Sequence, residues 1–267
     1  MTAPLWARGL LLAPALAMLL AFFLLPLARL VGQGADPALY WRALTEWQYV
    51  SALLVTVALS LVTAVCAVGL AAVVAGWLAH RHFPGRRLLV AMLTMPVALP
   101  GVVIAFMMIL LMGRQGLLAD ITDWLTGERV VLAYTIVGLF AGYLYFSLPR
   151  CIATLLAAAE AMDPALDEAA RMLGASPWKR VRDVWLPGLA PALVASGAIC
   201  FATAMGALGT AFTLAADIRV LPMVIYTEFT LATNLGMAAA LSVILGVATW
   251  IALAVARSFG GGMSAAA

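Results

Sequence analysis

Long apolar runs alternate with short polar stretches along the whole chain. Six of the runs (9–31, 50–79, 88–112, 130–148 with an apolar continuation, 188–215 and 233–256) are long enough to cross roughly 30 Å of hydrocarbon as helices. The pattern predicts an all-α membrane protein with six transmembrane helices. Proline and glycine interrupt several runs, as spanning helices tolerate when neighbouring groups re-satisfy the freed backbone. Pro96 and Pro100, four residues apart in the third run, predict a bend. Packing accommodation is the simpler reading of that bend, and a hinge used in gating is the alternative. The first run continues through Pro26 to Val31, beyond the about 7 to 15 apolar residues of a secretory signal, so it is expected to remain as a span.

One charged stretch, from Asp163 to Pro187, breaks the pattern between the fourth and fifth runs. Capping rules divide it into two short helices joined by a tight turn. Asp163 precedes Pro164 as an N-cap, Gly174 is a stop, and Ser176 precedes Pro177 as a second N-cap. Leu166, Ala169, Ala170 and Leu173 recur at spacings of three and four, which makes one narrow apolar ridge suited to a groove. Asp167 and Arg171 stand one turn apart and are expected to pair.

Composition agrees with the runs: 66% of the 267 residues are hydrophobic and 10% are charged, far from soluble averages. A net charge of +3 with a single lysine does not make a nucleic-acid surface. The distribution of charge says more than its total, because cytoplasmic loops retain Arg and Lys. Arg8, Arg81, Arg86, Arg87, the group from Arg150 to Arg182, and Arg257 fall on one side if both termini are inside. Asp36, Glu46, Asp120, Asp123, Glu128, Asp217 and Glu228 fall on the other. The charged stretch is thereby assigned to the cytoplasm.

Candidate chemistry is sparse. His80 and His82 flank Arg81 with no carboxylate or cysteine nearby, so no metal site is expected. Cys66, Cys151 and Cys200 are widely spaced and read as packing residues. Neither Ser196 nor Ser242 has a base at membrane depth, which argues against an intramembrane protease. No GxxxxGK[ST] loop is present, so this chain is not expected to hydrolyse ATP, and no catalytic residue is assigned. The runs also lack ionisable residues near their centres, where ion-coupled carriers place them at about 2.5 to 3.5 kcal/mol each. An ion-coupled carrier is disfavoured on that ground.

Glu168-Ala169-Ala170, then Gly174, then Val184, Leu186 and Pro187, with their spacing, resemble the EAA loop of permease subunits of bacterial ABC importers. Val184 stands where that family usually has Ile. The resemblance covers about 50–257. It implies a type I ABC importer permease fold with the five-helix core at 50–257, its coupling loop at 160–187, an added helix and outer loop at 1–49, and a short cytoplasmic tail at 258–267. It further implies that Glu168, Ala169, Ala170, Gly174, Val184, Leu186 and Pro187 couple to a separate ATPase dimer, which carries the ATP and Mg; no cofactor is expected on this chain.

The implied partners are a second permease subunit, in a heterodimer rather than a homodimer, a periplasmic substrate-binding protein and membrane lipid, in the bacterial inner membrane. The implied mechanism is alternating access. Thr203, Thr210 and Thr213, with Gly206 and Gly209, read as close helix packing or as pathway lining. The segments 209–214 and 221–230 resemble permeases of the polyamine, opine and phosphonate group, which implies a 2-aminoethylphosphonate-like or polyamine cargo. Ferric-iron and sulfate or molybdate permeases are the alternative. A subunit that anchors an ATPase without transporting is the alternative of another class, disfavoured by the short outer loops.

Overall fold

The computed structural model describes residues 13–81, 83–215 and 218–264, with the side chains of 259–264 left aside. Arg8 and Asp217, used above in assigning sides, and His82, weighed there as a metal ligand, lie outside the described residues. Among the described residues every regular element is helical. Helix α1 covers Ala13–Gln33 and α2 covers Pro37–Thr45, capped by the Asp36 carboxylate, which accepts from the Ala38 N–H. The long α3 spans Trp47–Ala79. Then follow α4 (Arg86–Thr94), α5 (Gly101–Met112), α6 (Leu117–Thr126) and α7 (Ile136–Glu160). After these come α8 (Pro164–Met172), α9 (Pro177–Met205), α10 (Leu208–Leu214), α11 (Leu221–Thr230) and α12 (Leu235–Ser264).

Six segments have the length and composition of a membrane span: α1, α3, α5 with α6, α7, α9, and α12 as far as Ser258. Several boundaries differ from those read in the sequence. The third run is broken rather than bent: α4 tightens into a 3₁₀ turn at Met95–Ala98, Leu99 is extended, and α5 restarts after Pro100. Pro100 has no N–H to continue a ladder, and its ring disfavours a helical residue before it. The fifth run likewise divides, because α9 stops at Gly206 and α10 is a separate short helix. Residues 258–264, expected as a tail, continue α12 as helix. The outer connections include the short helices α2 and α11.

One further expectation is corrected. The sequence groups Arg150 with the cytoplasmic charges, just beyond the fourth run at 130–148 with its apolar continuation. In the structure α7 continues to Glu160, so Arg150 lies inside a span helix, about 15 Å of helix rise before its end.

The core forms where α3, α7 and α9 meet. Ala64, Ala67, Ala71 and Ala75 make a smooth stripe on α3, which lets α7 and α9 approach closely through Ile152, Leu155, Phe201 and Met205. Cys151 and Cys200 are buried in the same cluster and all three cysteines are free thiols. A second cluster joins Leu59, Met108, Leu139, Tyr143 and Leu214, and a third joins Tyr49, Ala52, Leu221, Met237 and Leu241. The loops carrying the acidic residues gather at one end, where the Tyr49 hydroxyl donates to Glu228 at 2.9 Å. Two of the arginines there are paired, Arg42 with Glu46 at 2.7 Å and Arg129 with Asp123 at 3.1 Å. The opposite end carries Arg86, Arg87, Arg171, Lys179 and Arg182, and from it the charged hairpin projects.

Candidate functional site

The hairpin is built by local chemistry. The Asp163 carboxylate accepts from the Ala165 N–H at 2.9 Å and opens α8, with Pro164 in its first turn. The helix ends in a Schellman motif: the Gly174 N–H donates to the Arg171 carbonyl, and the Ala175 N–H reaches back to the Ala170 carbonyl, both at 3.0 Å. Gly174 sits at φ +73°, a conformation in which a Cβ is strained. The Ser176 hydroxyl then accepts from the Lys179 N–H at 3.4 Å and opens α9. The second arm is not a separate short helix as expected. It passes through a π turn at Val181–Trp185 and continues without a stop into the span, so hairpin and span form one rod.

Asp167 pairs with Arg180 rather than with Arg171. The Arg180 Nε and one terminal nitrogen donate to the two carboxylate oxygens at 2.7 and 2.5 Å, bridging the two arms. A planar guanidinium facing both oxygens outcompetes a single-point pair within one helix. These bonds, opposed by desolvation and aided by the charges of Arg180, His80 and Arg171, hold the Asp167 carboxyl below its ordinary pKa.

Three further contacts fasten the hairpin to the bundle. Trp185 packs against α3 at Gly76, where a Cβ would stand 3.1 Å from the ring, and its ring lies 4.5 Å from that of His80. Gly188, at the head of the span, faces Met162. Arg86 donates to the Leu78 carbonyl at 3.0 Å and also pairs with Glu160, clamping the ends of α3 and α7 together. Trp185, Gly76 and Arg180 were not singled out in the sequence, and Arg86 only for its charge.

The expected coupling residues come together on this hairpin. Glu168, Ala169 and Gly174 are exposed, Ala170 and Val184 are half-buried, and Leu186 and Pro187 are exposed at the junction with the span. Glu168, Arg171, Val184 and Trp185 share the lining of a cleft of about 470 Å³ with Glu160 and Asp163. Around them Met172, Leu173 and Trp178 are 89, 87 and 72% exposed. Large apolar side chains on a charged projection mark a surface that a partner covers. Thr203, Thr210 and Thr213 do not form one group. Thr210 is buried and donates to the Gly101 carbonyl at 3.2 Å, tying α10 to α5. Thr203 and Thr213 are half-buried and donate to carbonyls of their own helices. Among the described residues no cluster of His, Cys, Asp or Glu has the arrangement of a metal site.

Comparison with known proteins agrees with this architecture. Residues 67–264 match the family described as binding-protein-dependent transport system inner membrane component. The chain is 33% identical to the sulfate transport system permease protein CysT of Escherichia coli K12 over 210 residues, 78% of this chain and 74% of that protein. It is 31% identical to the molybdenum transport system permease protein ModB of the same organism over 157 residues, 57% of this chain and 67% of that protein. A crystal structure of a bacterial ABC transporter that imports the acidic polysaccharide alginate contains a chain of the same fold. That chain superposes with a TM-score of 0.80 at 18% identity, covering 96% of this chain and 95% of its own length. The six-span helical bundle with its projecting hairpin thus belongs to the binding-protein-dependent transport system inner membrane components, the permease subunits of ABC importers.

Proposed function

We propose that this chain is one of two permease subunits of an importer for a small tetrahedral oxyanion, sulfate or molybdate, driven by a separate ATPase that grips the α8–α9 hairpin. The observation that carries the coupling half is the exposed apolar set Leu166, Met172, Leu173 and Trp178 on a hairpin whose second arm runs without a break into a span. Force applied to that arm moves α9 as a rod. Through Trp185 on Gly76 and the Asp167–Arg180 bridge, the force also reaches α3 and α8. Rigid-body motion of this kind is what alternating access needs. Glu168, Ala169, Ala170 and Gly174 form the docking face, while Val184, Leu186 and Pro187 form the junction to the span.

The oxyanion cargo is supported by relatives named for sulfate and molybdate systems. They match the alternative drawn from the sequence rather than the polyamine or phosphonate expectation. A periplasmic binding protein at the acidic end and a second, different permease chain complete the assembly in the bacterial inner membrane.

The test is uptake of labelled sulfate and of molybdate by cells lacking their own systems and carrying this transporter. Uptake of either, competed by the other, is expected. Glu168→Lys is expected to abolish uptake and to release the ATPase on purification while the protein stays in the membrane. Import of a phosphonate or polyamine with no oxyanion uptake would overturn the cargo assignment, and undiminished uptake by Glu168→Lys would overturn the docking assignment.

A further inference from the structure

Arg150 anchors a polar seam that the coupling function does not use. On α7 the residues Ser147, Arg150, Cys151 and Thr154, and on α9 the residues Ser196, Ile199, Cys200 and Thr203, line one narrow gap. Both sets recur at spacings of three, one and three, which places each on a single helix face. Two hydroxyl-bearing stripes therefore meet along the seam, beside the alanine stripe of α3 that packs against α7 and α9.

The donors in this seam are unevenly used. The hydroxyls of Thr154, Ser196 and Thr203 donate to carbonyls of their own helices. Ser147 Oγ is buried without a hydrogen-bond partner. Arg150 is half-buried with its guanidinium 5.2 Å from the centre of the Phe146 ring, and among the described residues it has no carboxylate within salt-bridge distance. An arginine inside a span helix with no counter-charge, next to an unused buried donor, is arranged for an anion that comes from elsewhere. The guanidinium fork matches two oxygens of a tetrahedral oxyanion, and a hydroxyl matches a third.

We propose that the α7–α9 seam at Arg150 and Ser147 is a transit site for the oxyanion cargo, an inference that rests on the importer reading above. In this conformation the seam is closed, with free space of about 10 Å³, room for one water at most. The ion enters only when α7 and α9 separate. A single positive charge against a dianion holds the cargo weakly, as a pathway requires if the ion is to leave again. The headgroup of an anionic phospholipid offers the same phosphate-like chemistry, so the source of the anion is what the experiment must separate.

The purified transporter, co-expressed with its ATPase and second permease chain, is placed in nanodiscs of purely zwitterionic lipid. Its melting temperature is followed against sodium sulfate, sodium molybdate and sodium chloride at matched ionic strength. Sulfate or molybdate is expected to raise the melting temperature where chloride does not. Arg150→Gln should remove that shift, Ser147→Ala reduce it, and Arg150→Lys keep part of it. Arg150→Gln should also lower oxyanion uptake at least tenfold, with ATP hydrolysis persisting.

An equal shift in Arg150→Gln, no shift in the wild type, or a shift that follows added anionic lipid instead of sulfate would each overturn the transit site. The importer reading fails separately. A wild-type transporter that shows the Arg150-dependent shift yet imports neither oxyanion removes the cargo assignment and leaves an anion site. Normal uptake by Arg150→Gln removes the transit site and leaves the cargo assignment.

Discussion

Asp167 and Arg180 stand thirteen residues apart and close the hairpin across the Gly174 turn, guanidinium to carboxylate, by two hydrogen bonds of 2.7 and 2.5 Å. The pair makes one rigid unit of α8 and the base of a span. Asp167→Asn is therefore expected to lower uptake severalfold while ATP hydrolysis by the bound partner continues. Exchanging the two charges in Asp167→Arg with Arg180→Asp should recover part of the loss. Uptake at the wild-type rate in the single variant would show that the arms need no such link.

The same pair sets an acid limit. A carboxyl whose pKa is lowered by folding stabilises the folded hairpin above the ordinary aspartate value, and that contribution disappears as pH falls through the lowered value. The hairpin should resist cleavage equally from neutral pH down to about 4 and open below it. Pepsin digestion at stepped pH reads this directly: cuts within 163–180 should appear in the wild type only under strong acid, and the step should vanish in Asp167→Asn.

Gly174 holds φ +73° with nothing near the position of a Cβ, so a side chain there meets backbone strain and no clash. Gly174→Ala is expected to cost roughly 1 to 2 kcal/mol locally, and Gly174→Asn less, since asparagine accepts the left-handed region. Hydrogen exchange at Ala175, whose N–H closes the turn, should speed up in that order. Gly174→Asp adds a charge to the docking face and should abolish coupled transport as Glu168→Lys does.

Gly76 admits the Trp185 ring at 3.1 Å from where a Cβ would stand. Gly76→Ala asks the ring to move a few tenths of an ångström and should be mild. Gly76→Leu must displace it and is expected to lose about 1 to 3 kcal/mol, as overpacked sites do. Thermal melts of the three proteins in one detergent would expose the order, and equal melting temperatures would disprove the contact.

Thr56 is buried on α3, where its hydroxyl donates to the Ala52 carbonyl at 2.6 Å and accepts from the Leu221 N–H at 2.7 Å, at the start of α11. Thr56→Val keeps the shape and strands that N–H without a partner, which is expected to destabilise by about 1 to 3 kcal/mol. Thr56→Ser should lose much less. A melting temperature of Thr56→Val equal to that of the wild type would mean that the N–H has found another acceptor.

The parts of this molecule that were legible before the fold was known are those governed by neighbours along the chain. Six spans follow from runs of apolar residues, and the two ends of the bundle follow from where Arg and Asp or Glu interrupt them. The hairpin was legible residue by residue because caps act over two to five positions: Asp163, Gly174 and Ser176 each do locally what their chemistry dictates. The expected Asp167–Arg171 pair failed for the complementary reason. Adjacency on one helix was visible in the sequence, but the better partner, Arg180, comes from the next helix.

The sequence by itself determined how many helices are long and apolar enough to cross and where a charged arm leaves them, because hydropathy and capping are local properties. Tertiary structure alone decided which faces meet. Inside lipid both the packed side and the lipid side of a helix are apolar, so periodicity cannot say that Trp185 rests on Gly76, that Pro100 ends a helix instead of bending it, or that Arg150 and Ser147 face α9 across a closed seam. Those relationships depend on the distance between helices, which no local property of the chain encodes.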